Sequence, residues 1–226
     1  PAKLQSKRRG PAQMKLILPI LKTRQVSIYL VALVLCCASV AFANVGFGIQ
    51  LNSMRSPQYV VWGILVLFVI AIAGAILLRP RFWEWEREPN SRAKIVAGCF
   101  AAVACLAPVL VVACQHLYLI GTVPASSRVD FDPGPLYSNA MVIGGLTLLL
   151  AAFIGPALGS VITFVGYLGL LVVRSWLADV AFIPIYDDRG QSHFPQATVI
   201  VLLAIAAHAW FRGSTAWAWR LFQREH

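Results

Sequence analysis

The sequence predicts an all-α polytopic membrane protein: six transmembrane helices, an N-terminal interfacial elbow helix and both termini in the cytoplasm. Two observations carry the expectation. Six apolar runs recur, at Gln25–Gly48, Tyr59–Leu78, Ile95–Ile120, Tyr137–Gly155, Pro156–Val173 and Pro195–Phe211. The positive charge between them falls almost wholly on one side of the implied membrane. Each run is near the ~20 apolar residues that a helix needs to cross ~30 Å of hydrocarbon. None contains Asp, Glu, Lys or Arg. In lipid the backbone must satisfy its own hydrogen bonds, so such runs should be spanning helices.

Orientation follows from the loops. Lys3, Lys7, Arg8, Arg9, Lys15, Lys22 and Arg24 precede the first run. Arg79, Arg81, Arg87, Arg92 and Lys94 lie between the second and third, and Arg212, Arg220 and Arg224 follow the last. The opposite side holds only Arg55, Arg128, Arg174 and Arg189, against Asp130, Asp132, Asp179, Asp187 and Asp188. The positive-inside rule puts both termini in the cytoplasm of a multi-pass protein of the cell membrane. Topology thereby accounts for the net charge of +10, and nucleic-acid binding is not expected, since no soluble fold carries a basic groove. The chain divides into a basic N-terminal segment at 1–24, a transmembrane domain at 25–213 and a cytoplasmic tail at 214–226. The first run is too long for a cleaved signal peptide, and five more follow it.

Taken in order, Gln13–Arg24 is apolar in the middle and basic at its ends. It is too short to span, and Pro19 disfavours continuity with the first helix. An elbow helix on the inner leaflet is expected, with Lys15, Lys22 and Arg24 reaching anionic lipid headgroups. The first and third runs hold all five cysteines, Cys36, Cys37, Cys99, Cys105 and Cys114. No C-x-x-C spacing occurs among them, so no metal site is expected; they read as small, soft packing residues. Between the second and third runs, Arg79–Lys94 is the one sizeable internal cytoplasmic loop. Trp83 and Trp85 suit a membrane interface, and Glu84, Glu86 and Glu88 interleave with Arg79, Arg81 and Arg87. Pro80 and Pro89 bracket about two helical turns. This is either a docking surface for a soluble partner or an anchored connector.

Pro108 should kink the third helix. The fourth and fifth runs are joined only by the uncharged turn Gly155-Pro156-Ala157-Leu158-Gly159. Gly155, Gly159, Gly166 and Gly169 should let helices approach closely. The outer segment Arg174–Phe194 carries the apolar stretch Ala178–Ile185, too short to cross and suited to a re-entrant or interfacial position.

Little chemistry is available. Spans without charge argue against a proton- or sodium-coupled transporter. His116 and His208 fall near opposite ends of their helices, too far apart for a shared haem. No protease motif and no phosphate-cradling loop occurs. The one dense polar cluster, Asp187, Asp188, Arg189 and His193, reads as a solvated turn, with a membrane enzyme built on it as a lesser alternative.

The stretch Tyr137–Gly213 resembles integral membrane (permease) subunits of ABC transporters of high-GC Gram-positive bacteria. The matching parts are Tyr137-Ser138-Asn139, Gly144-Gly145-Leu146, Leu148–Ala152, Gly155-Pro156-Ala157-Leu158, Trp176 and Phe211-Arg212-Gly213. Phe82-Trp83-Glu84-Trp85-Glu86-Arg87 is similar to the charged segment after the second helix of such subunits. The resemblance implies the ABC-2-like six-helix class, with an elbow helix, a coupling helix and a re-entrant outer segment. It implies that Arg81, Trp83, Glu84, Trp85, Glu86, Arg87 and Glu88 couple to an ATPase partner. ATP and Mg would then reside in that partner, with no cofactor and no enzymatic activity in this chain. The expected partners are ABC ATPase subunits, a second permease subunit (identical or paralogous) and membrane lipid. The expected function is export of an amphipathic or hydrophobic cargo. A non-transporting accessory subunit of a larger membrane complex is the main rival.

Overall fold

The structure, a computed structural model, describes residues 25–42, 46–49, 58–79, 91–122, 134–176 and 193–218. The elbow residues Lys15, Lys22 and Arg24, the Arg81–Glu88 segment, Ala178–Ile185 and Asp187, Asp188 and Arg189 lie outside them. The described residues form six helices: α1 Val26–Ala38, α2 Trp62–Leu77, α3 Ser91–Thr122, α4 Gly134–Ile154, α5 Pro156–Trp176 and α6 Phe194–Phe211. A 3-10 turn at Ser39–Phe42 follows α1. A two-stranded antiparallel hairpin, β1 Gly46–Ile49 and β2 Gln58–Val61, precedes α2.

Three helical stretches are long and apolar enough to cross a membrane: Ala93–Thr122 within α3, α4 and α6. The other three hold shorter apolar stretches, Val26–Ala38, Trp62–Leu77 and Pro156–Leu170 within α5, and α1 departs most from expectation. The run Gln25–Gly48 is not one helix. Ser39 Oγ–H donates to Cys36 O at 2.8 Å, and the chain tightens there into a 3-10 turn. The end of that run then pairs with the beginning of the next, in the register Gly46↔Val61 to Ile49↔Gln58. At 13 residues, α1 extends only ~20 Å. At 32 residues, α3 extends ~48 Å and outreaches the hydrocarbon.

α4 is the central helix and touches α2, α3, α5 and α6. It can do so because its neighbours meet glycine. A Cβ on Gly144 would sit 2.8 Å from the backbone oxygen of Cys105 in α3, and one on Gly145 would sit 2.9 Å from Ile200 in α6. Consecutive positions on a helix point about 100° apart, so this glycine pair receives two helices at one level. Small residues dominate the rest of the contact surface, with Ala71, Ala140, Ala152, Ala197 and Ala204 fully buried. This is the packing mode of helices that gain nothing from excluding lipid. Pro108 is buried beside Gly144, and α3 continues through it as helix.

Large apolar side chains also line the outside: Val34 and Leu35 on α1, Leu117 on α3, Val161 and Val165 on α5, and Leu202 on α6 are all more than half exposed. In water a surface this apolar would be a liability; against lipid it is the expected finish.

Contacts fix the direction of each helix. Gly74 of α2 lies against both Tyr29 of α1 and Ala104 of α3, while Gly63 lies against Gln115. Hence α3 runs against α2, and α1 does too, since Tyr29 near its start meets Gly74 near the end of α2 while the hairpin joins the end of α1 to the start of α2. The ends of α4 and α6 lie together through an edge-to-face contact of Phe153 with Phe211, whose ring centroids are 5.4 Å apart, within the range of about 4.5–7 Å that such pairs favour. Phe68 of α2 meets Phe164 and Tyr167 of α5 in the same geometry. The helix ends therefore gather in two layers, one beside residues 79 and 91 and the other beside the hairpin.

Candidate functional site

The first layer is the more elaborate. α4 and α5 are separated by a single residue, Gly155, whose φ of 91° lies in the left-handed region that favours glycine. Pro156 then opens α5, where its missing N–H has no helical partner to lose. Gly155 N–H donates to Ala151 O at 3.1 Å, and Gly159 N–H donates to Gly155 O at 2.9 Å. The two helices leave this turn in contact: a Cβ on Gly159 would stand 2.7 Å from the backbone nitrogen of Ala151.

A helix end leaves its last carbonyls without partners. Here they are taken by a residue from far along the chain. Thr215 donates its backbone N–H to Ala152 O at 2.9 Å and its Oγ1–H to Phe153 O at 3.1 Å. The same oxygen accepts Ala218 N–H at 3.2 Å. The path to Thr215 is set by two left-handed residues after α6, Arg212 at φ 55° and Gly213 at φ 101°, and by Gly213 N–H donating to His208 O at 2.8 Å. Thus the segment 212–218 clasps the α4–α5 turn.

Beside this clasp is a pocket of about 30 Å³, lined by Leu78, Arg79, Ala97, Phe100, Pro156 and His208 among others. That volume suits one or two waters rather than a cargo. His208 Nδ1 lies 3.0 Å from Ala204 O; a carbonyl only accepts, so Nδ1 carries a proton. On the rim, Lys94 Nζ lies 5.3 Å from the centre of the Trp210 ring. Both side chains are exposed, a cation–π pair suited to a membrane interface.

The second layer is assembled differently. Gln115 is buried against Gly63, and His116 meets Tyr137 edge-on at 6.3 Å. Ser138 Oγ–H donates to Pro135 O at 2.9 Å. Trp62 Nε1 and Asn139 Nδ2 are buried without a partner among the described residues.

The sequence-predicted residues sort accordingly. Gly155 and Gly159 build the junction. Gly166 and Gly169 do not pack as expected: both face open space, and nothing would meet an added Cβ within 4 Å. The reason is that α5 crosses α4 at the turn, and close approach is needed only there. Gly144, Gly145 and Thr215 are the residues that sequence reasoning passed over as structural determinants. The adjacent glycines within an apolar run were a usable signal; Thr215 offered none, because the carbonyl that its hydroxyl caps, on Phe153, is 62 residues away. His116 and His208 belong to opposite layers and cannot share a ligand. Among the described residues no group of three or more His, Cys, Asp or Glu is placed to hold a metal ion.

No family model, curated protein or solved structure matches the chain.

Proposed function

We propose that the chain is the membrane-spanning permease subunit of an ABC transporter, exporting an amphipathic or hydrophobic cargo with ATP hydrolysed by separate subunits. All six helices span in this reading, α1 and α2 with help from their flanking residues. The positive-inside rule puts both termini and the clasped layer in the cytoplasm. A second permease subunit, identical or paralogous, encloses the pathway.

The supporting observation is where the 80–90 segment leaves and returns. It departs from Arg79, which lines the pocket where α2, α3, α4, α5 and α6 converge, and re-enters at Ser91, six residues before Ala97 on the α3 wall of that pocket. A force applied to Arg81, Trp83, Glu84, Trp85, Glu86, Arg87 and Glu88 by an ATPase subunit would act on five helix ends at once. Such rigid-body tilting is the usual output of nucleotide-driven switches. The test is to isolate the protein from its native membrane and assay for a co-purifying ATPase. Alanine at Glu84, Glu86 and Arg87 should leave ATP hydrolysis running while transport falls at least tenfold. If replacement of the whole Arg81–Glu88 segment leaves ATPase capture unchanged, the coupling role is wrong.

One observation favours the accessory-subunit reading. The interior of the single chain is closed: Ile70, Ala71, Cys105, Val111, Ala140 and Thr147 have essentially no exposure. That reading expects no ATPase in the purified complex and no transport by reconstituted material.

A further inference from the structure

The pocket beside the clasp is lined by apolar residues except for Arg79, His208 and Ser214. His208 Nδ1–H is turned to Ala204 O, and Ser214 Oγ–H donates to Thr215 O at 3.2 Å. Arg79 is half-buried just past the end of α2. Its guanidinium carries five N–H donors in a planar fork, enough to hold a phosphate beside the contact it already makes.

A second cation extends the α3 side of the pocket. Ala97, Ala101 and Ala104 form one stripe of its wall, and Lys94, a turn before Ala97, is the next position out on that stripe. Its ammonium stands 5.3 Å from the centre of the exposed Trp210 ring, at the level where aromatic rings meet headgroups. Arg212, which leads into Gly213 of the wall, adds a further positive charge to this layer. No Asp or Glu occurs among the described residues. A pocket of about 30 Å³ admits a phosphate oxygen or two but no acyl chain. Outside it, α3 offers exposed Ile95, Val103 and Leu106. Basic residues gathered between helices at an interface, with apolar surface beside them, suit an anionic lipid headgroup.

We propose that Arg79 and Lys94 hold the headgroup phosphate of one anionic phospholipid at the mouth of this pocket, its acyl chains lying along α3. In the orientation adopted above this lipid belongs to the cytoplasmic leaflet, and the site stands independently of what the chain transports. A zwitterionic lipid brings the same phosphate with a cation attached, so it binds more weakly.

The experiment reconstitutes the full-length protein in nanodiscs of phosphatidylcholine with or without phosphatidylglycerol. Lysines are acylated with a water-soluble succinimidyl ester, and each site is followed by mass spectrometry. Relative to Lys3 and Lys7, Lys94 should react about fivefold more slowly when phosphatidylglycerol is present. Native mass spectrometry of protein released from the mixed discs should show one retained phosphatidylglycerol and no phosphatidylcholine. Arg79→Gln and Lys94→Gln should each weaken that retention about fivefold, the loss of one basic contact. Lys94→Arg should preserve it, as should Arg128→Gln on the opposite side of the membrane. Equal labelling of Lys94 in the two discs, equal retention of the two lipids, an equal loss with Arg128→Gln, or displacement of the lipid by excess inorganic phosphate would overturn the proposal. Labelling uses the unmodified chain, so it decides the matter even where a variant fails to fold. A nanodisc exposes both faces, so an error in the orientation would leave this result unchanged.

Discussion

The two ends of the bundle solve the same problem in opposite ways. Helices that terminate together must dispose of polar groups that lipid cannot solvate. At the clasped end the terminal carbonyls of α4 are matched by Thr215, and the turn is reduced to one glycine. At the hairpin end Trp62 and Asn139 keep buried donors without partners among the described residues, and a side chain, Gln115, fills the space over Gly63. A buried unsatisfied donor costs ~1–3 kcal/mol, and the clasped half keeps its own in Ser160 Oγ and Tyr29 Oη, so the ends differ in how the chain closes them and not in being free of such donors. The difference teaches that, among the described residues, capping from far along the chain is found at the end where the proposed coupling segment enters.

The most disruptive way to challenge that contrast is within α5 itself. Gly159→Leu forces a side chain against the backbone of α4 and should destabilise by at least ~3 kcal/mol, seen as loss of monodisperse protein on extraction. Gly166→Leu, seven positions on and facing open space, should change stability by no more than ~0.5 kcal/mol. Equal effects would mean that α5 does not cross α4 as described. A middling effect is expected for Thr215→Val, which keeps the backbone bond to Ala152 but loses the donor to Phe153 O and the acceptor for Ala218 N–H. Thermal unfolding in detergent should register a loss of ~1–2 kcal/mol. The smallest change belongs to the hairpin end. Asn139→Leu and Trp62→Phe remove donors that have no described partner, so each should shift stability by less than ~1 kcal/mol, with the sign favouring the variant. A large loss from either would mean that the removed donor has a partner after all.

How much of this was legible in the sequence depends on the scale of the interactions. The apolar runs locate α4, α5 and α6 to within three residues at either end, because length and hydropathy alone decide where a helix lies in a lipid-like setting. The first two runs fail where they adjoin. Val40–Gly48 is apolar enough to extend a helix, but short apolar segments do not distinguish helix from strand. What decides between them is a partner, and all but the first residue of that partner, Gln58–Val61, falls within the following run. The glycines show the same limit. Composition marks Gly155, Gly159, Gly166 and Gly169 alike, yet only the first two sit where α4 and α5 meet. Thr215 was invisible because a cap that reaches across 62 residues leaves no local trace.

That separation also sets a clock on how the protein is made. Chains are synthesised at ~5–20 residues per second, so the α4–α5 turn leaves the ribosome some ~3–12 s before the residue that caps it. During that interval the end of α4 must be tended by water, lipid headgroups or the insertion machinery. The turn is thus formed early and sealed late, and the last spanning helix, once threaded, delivers the seal.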